Sequence, residues 1–101
     1  MKISELVNQG IITKDHWLTK ATTMGEDVEI INNQVIWKKG TWVKGTWENG
    51  IWKGGCWEKG TWKSGVWENG IWEKGNWEDG IIPGKMYTEG IVIGEGVEKF
   101  L

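Results

Sequence analysis

Few residues of this chain are of the types that do chemistry. It has one histidine and one cysteine. His16 has no Cys or His companion at metal-ligand spacing, so no metal site is expected, and its place beside Trp17 reads as part of a packed segment. Cys56 stands where neighbouring units carry Ile, Thr or Val, with no base nearby in sequence to activate a thiolate, so it reads as a small strand residue. Glu48 and Glu68 could imitate the carboxylate pair of a glycosidase, but both fall on a charged convex face without a cleft. The glycines invite a phosphate-loop reading, yet no GxxxxGK[ST] stands before a helix. The expectation is therefore a protein that is not an enzyme, with no catalytic residue, cofactor or metal. The remaining chemistry is that of ten tryptophans, whose rings could stack on sugars or hold a choline group by cation–π contact.

Whatever presents those rings must be small. The chain has 101 residues, a formal net charge of -2, 16 glycines and no arginine; all 12 basic residues are lysine. One domain at most fits this length. Only three leucines and one alanine (Ala21) are present, which leaves little of the usual vocabulary of a helical bundle. There is no apolar run long enough to cross a bilayer and no signal-peptide h-region, and Cys56 is alone. A cytoplasmic or virion-associated protein without a disulfide framework or membrane partner is expected.

The tryptophans belong to a repeat. Trp37, Trp42, Trp47, Trp52, Trp57, Trp62, Trp67, Trp72 and Trp77 recur every five residues, and a glycine follows each three residues later. Five matches neither a helix nor a continuous strand; it suits a short strand and a corner. The residue before Trp is β-branched in seven of nine units, and the residue after it is charged in eight of nine. Alternation along a strand puts these two on one face and Trp on the other. The charged face must be wet, so the nine tryptophans are predicted to form the core, with glycine as the small inward residue between them. Inward rings would be unavailable to a ligand.

Strands this short cannot support a hairpin meander, whereas a coil lets each pair in parallel with its equivalent one turn later. Comparing the variable positions favours four units per turn over three, with six identities in fifteen comparisons at a lag of twenty against six in eighteen at a lag of fifteen. A four-sided coil would stack Trp37, Trp57 and Trp77, pair Lys38 with Glu58 and Lys53 with Glu73, and place Ile51 over Ile71 with Val66 nearby. Ile51, Val66 and Ile71 are thus the candidate partner contact.

Gly40-Thr41-Trp42-Val43-Lys44 and the units after it resemble the pentapeptide-repeat family, with glycine in the small inward slot and tryptophan in the large one. The family prefers Ala, then Asp or Asn, then Leu or Phe, so this is a tryptophan variant, similar to GTWxx-type repeats often encoded by phages. The resemblance covers about half the chain. It implies a square, right-handed parallel β-helix and specifies no activity.

The expected fold is all-β: a four-sided parallel β-helix (solenoid) of pentapeptide repeats at 36–82. An N-terminal cap at 1–35 holds a short helical stretch preceded by Ser4 and ended at Gly10, a second around Lys14 to Lys20 capped by Thr13, and a strand. Val28 to Trp37 reads as strand-like, with a turn at Asn32-Asn33. Residues 83–101 read as a C-terminal capping strand or assembly segment, broken off the repeat by Pro83-Gly84.

For function, nucleic acid is disfavoured because the repeat block has seven Lys against six Asp plus Glu and no Arg. Mimicry of DNA needs a strongly acidic surface and fails on the same count. Choline- and glucan-binding repeats use a longer period and abundant tyrosine; Tyr87 is the only one here. The leading expectation is a non-enzymatic structural module that self-associates into a homo-oligomer or joins another structural protein, with a phage structural or accessory protein as the role that the resemblance implies. A glycan-binding module and a protein-binding regulator of a host protein are the alternatives.

Overall fold

The computed structural model describes residues 1–88 and, as backbone, 91–94. The N-terminal part holds helix α1 (Ile3–Asn8), a 3-10 turn (Trp17–Lys20) and a long hairpin of β1 (Thr22–Ile31) and β2 (Gln34–Lys44). Asn32 and Asn33, at φ 51° and 63°, make the hairpin turn; asparagine tolerates this left-handed conformation better than most residues. α1 begins after Lys2 rather than after Ser4, which lies inside it, and Gly10 follows with φ 72°. The segment after Thr13 does not form the helix expected around 14–20. Only Trp17–Lys20 winds, with His16 rather than Thr13 capping it through a ring nitrogen that accepts the Leu18 N–H.

From β2 the chain coils. Seven two-residue strands follow: β3 (Thr46–Trp47), β4 (Ile51–Trp52), β5 (Cys56–Trp57), β6 (Thr61–Trp62), β7 (Val66–Trp67), β8 (Ile71–Trp72) and β9 (Asn76–Trp77). Each pairs in parallel with the strand fifteen residues away: Trp37 with Trp52 and Trp52 with Trp67, Trp42 with Trp57 and Trp57 with Trp72, Trp47 with Trp62 and Trp62 with Trp77. The fold is a parallel β-solenoid of about three turns. Each of the four units from Thr61 to Glu78 supplies two rungs: Ile71 N–H, for example, donates to the Gly55 carbonyl at 2.9 Å, and Glu73 N–H to that of Trp57 at 2.8 Å.

The coil is therefore three-sided, not four-sided, and the reason lies on its axis. Within one turn Trp37, Trp42 and Trp47 meet edge to face in all three combinations, with centroids 5.7, 6.4 and 5.8 Å apart and interplanar angles of 68–79°. Trp52, Trp57 and Trp62 repeat the arrangement one turn on. Three indoles in mutual contact fill a triangle. A square would separate diagonal rings and leave a void along the axis, forfeiting their dispersion contacts. Between turns the rings lie nearly parallel, 4°–8° apart with centroids at 4.7–5.1 Å, so the parallel-strand spacing sets the ring spacing. Such offset stacks add roughly 0.5–1.5 kcal/mol per pair beyond burial. That gain works against a cost of about 1–3 kcal/mol for each buried indole N–H left without a partner. Trp37, Trp42, Trp52, Trp57 and Trp62 have such groups, whereas Trp47 and Trp67 donate to the Ser64 and Lys85 carbonyls at 3.1 Å.

Glycine leaves room beside the core rings, since a Cβ on Gly70, Gly75 or Gly80 would lie 3.0–3.2 Å from a tryptophan Nε1, and it has a second purpose as well. Every repeat glycine has φ between 109° and 135°. A Cβ on Gly60 would lie 2.1 Å from the Gly45 carbonyl oxygen, so the first obstacle is the backbone of the preceding turn rather than the core. Glycine lets the chain turn the corner and lets successive corners nest. Asn49, Asn69 and Asp79 reinforce three of these corners by accepting the N–H of the glycine that follows, at 2.8–2.9 Å.

The first turn of the stack is covered. Trp17 meets Trp47 edge-on at 5.1 Å, and Leu6, Leu18 and Val28 are fully buried around it. After β9, Ile82 takes the inward place above Trp67. Pro83-Gly84 then adds one residue to the period, so that β10 (Lys85–Thr88) pairs Tyr87 with Ile71 rather than with Trp72; Met86 is buried. β11 (Ile91–Gly94) runs antiparallel to β10. Residues 89–90 and 95–101 of the C-terminal segment expected to cap or assemble lie outside the described residues.

Candidate functional site: the outward columns of the coil

The nine tryptophans face inward. Those from Trp37 to Trp67 have no exposed surface, Trp72 is almost fully buried and Trp77 is half-buried at the end of the stack. None of the first eight presents a face to a sugar or a choline group.

The outer surface is organised by the three-unit turn. One side carries Ile36, Ile51, Val66 and Ile81 in register, a continuous aliphatic column. The next carries Thr41, Cys56, Ile71 and Tyr87. The third carries Thr46, Thr61 and Asn76 and is polar. Ile71 thus does not lie above Ile51: of the three residues expected together, Ile51 and Val66 share a column and Ile71 belongs to the adjacent side. The three are not equally open, because β1 covers Ile36 and the exposure rises toward the C-terminal end. There Ile71, Ile81 and Tyr87 are 51%, 43% and 41% exposed. Ile81 and Tyr87 were not among the expected contact residues. A period of fifteen would have brought in Ile81, since it aligns four aliphatic residues in one column, whereas Tyr87 stands sixteen residues after Ile71 and enters only through the extra residue at Pro83-Gly84.

The charged pairs shift in the same way. Glu48 meets Lys63, fifteen residues on, at 3.6 Å, and Lys38 reaches Glu29 of β1 at 2.6 Å rather than Glu58. Glu48 and Glu68 stand on different sides of the coil, so they form no carboxylate pair. Each exposed ion pair is worth little.

Cys56 is half-buried and donates its thiol hydrogen to Glu73 Oε2 at 3.1 Å. Burial first, then this hydrogen bond and the negative charges of Glu73 and Glu58, push the thiol up to about 12. Such a thiol is a poor nucleophile at neutral pH. No group of three or more His, Cys, Asp or Glu among the described residues could hold a metal ion, and none of the described helices is long and apolar enough to cross a membrane.

Comparison with protein families, with curated proteins and with solved structures finds no match for this chain. Its architecture is consistent with a pentapeptide-repeat-like coil, and the likeness rests on the five-residue unit and the parallel ladder, not on a square cross-section.

Proposed function

We propose that the chain is a non-enzymatic structural module that self-associates through the apolar end of its coil. The observation that carries this reading is the cluster of Ile71, Ile81 and Tyr87, large side chains exposed at the last turn on two adjoining sides. Large apolar side chains left exposed together on a small protein commonly mark an interface. β9 is the last strand of its sheet among the described residues, and the end of a solenoid is where strand edges must be covered. A net charge of only -2 offers little repulsion between copies. The same surface would suit a component of a larger particle, the role that the resemblance to phage-encoded repeats suggests.

The test is sedimentation velocity or native mass spectrometry over a dilution series, with the wild type beside the double variant Ile71→Lys, Ile81→Lys. Both substitutions are at exposed sites, so the circular dichroism should not change. A concentration-dependent oligomer that the double variant converts to monomer supports the proposal. A wild type that is monomeric at every concentration overturns it.

A further inference from the structure

At the opposite end of the coil, three distant segments enclose an open cavity of about 390 Å³. His16 and Trp17 form one wall, the hairpin turn brings Asn32, Asn33 and Gln34, and the first corner of the coil brings Asn49. Its lining holds four carboxamides, one imidazole and one indole, and not one carboxylate or ammonium group.

Two of these polar groups, His16 and Asn49, are held in a defined state. His16 Nδ1 accepts the Leu18 N–H at 3.1 Å, which leaves the ring proton on Nε2 as a donor, and partial burial lowers the imidazole pKa and keeps it neutral. Asn49 Oδ1 accepts the Gly50 N–H at 2.9 Å, so its NH2 is the part left to donate. Asn32 and Asn33 stand at the turn itself, with left-handed backbone at φ 51° and 63°. The His16 and Trp17 rings lie 5.2 Å apart and only 30° from parallel, and Trp17 is braced edge-on against Trp47, so the aromatic wall is rigid.

The lining selects among ligand classes. An ionic ligand would leave water without a counter-charge, and an apolar one would desolvate several amides without replacing their hydrogen bonds. A neutral polyhydroxylated ring satisfies both demands: hydroxyl groups pair with carboxamides and with Nε2–H, and the C–H face lies on the indole. The volume falls in the range of small-ligand sites. We propose that this cavity binds a neutral saccharide of one or two rings. The site uses Trp17, the one tryptophan outside the repeat, and is independent of the apolar end.

The test is an NMR titration of the nitrogen-15-labelled full chain with glucose, galactose, N-acetylglucosamine, their β1,4-linked disaccharides, and glucuronic acid as the charged control. Two variants preserve the fold by design. Asn33→Gly keeps the left-handed turn and removes one carboxamide; Asn49→Asp keeps the acceptor for Gly50 and replaces the donor. The expected result is saturable shifts of the Trp17 indole N–H and of the Asn32, Asn33, Gln34 and Asn49 side-chain NH2 signals with at least one neutral sugar. Each variant should weaken that binding about tenfold. No saturable shift with any neutral sugar up to tens of millimolar, binding of glucuronic acid as tight as that of the neutral sugars, or binding unchanged in both variants overturns the proposal.

Discussion

Two adjacent glycines offer a sharp test of how the coil is held. Gly55 has φ 112°, and a Cβ there would lie 2.2 Å from the Gly40 carbonyl oxygen, a backbone atom that cannot swing aside. Gly54 shows no such φ, and its nearest obstacle is the Lys38 carbonyl oxygen at 3.6 Å, an ordinary contact. For Gly55→Ala the left-handed backbone costs about 1–2 kcal/mol. Forcing the turns apart adds about 1–3 kcal/mol and strains the rung in which Ile71 N–H donates to Gly55. The total is about 2–5 kcal/mol, a drop of roughly 1–2 M in the urea midpoint for a chain of this size. Gly54→Ala restricts the unfolded chain without straining the folded one, and should be neutral or stabilising by up to about 1 kcal/mol. Urea unfolding followed by tryptophan emission and circular dichroism measures both. If Gly55→Ala unfolds within about 0.5 kcal/mol of Gly54→Ala, well inside the spread expected for innocuous surface changes, the close nesting of corners is wrong and the account of the repeat glycine fails.

Two further outcomes follow from the core and its one thiol. Tryptophan emission should be blue-shifted and resist iodide, with Trp17 and Trp77 supplying most of what is quenched; emission typical of water-exposed indole, fully quenchable, would contradict a buried stack. Cys56 should resist thiol reagents at pH 8–9 in the folded protein and react readily in urea, while Glu73→Gln should bring its reactivity to lower pH. The sign for stability follows from the raised folded pKa: the unfolded thiol ionises near 9.0 and the folded one near about 12, so this contribution is whole below 9 and is lost as the pH rises through that window. Stability that does not fall across it in the wild type, relative to Cys56→Ser, would count against the Cys56–Glu73 contact.

Much of the architecture is written along the chain. The five-residue period, the β-branched residue before Trp and the charge after it lead to short parallel strands with the rings on the dry side. Asn32-Asn33 marks a turn because its side chains suit positive φ. These readings succeed because each depends on residues within a few positions of one another.

The number of sides does not. Counting identities favours a lag of twenty because TWENGIW and VWENGIW happen to agree. The structure instead aligns residues of like shape, Ile36, Ile51, Val66 and Ile81, at fifteen. What chooses three is the fit of indoles across an axis that no local pattern describes. That choice decides every column on the surface: Ile71 joins Cys56 and Tyr87 rather than Ile51, Glu48 meets Lys63 rather than Glu68, and the exposed apolar cluster forms where Pro83-Gly84 resets the register. The amide-lined cavity is likewise invisible in sequence, since residues 16–17, 32–34 and 49 meet only once the hairpin lies across the end of the stack. Local periodicity determined the unit and which way it faces. Closure of the coil, a matter of filling volume around a common axis, decided which units are neighbours.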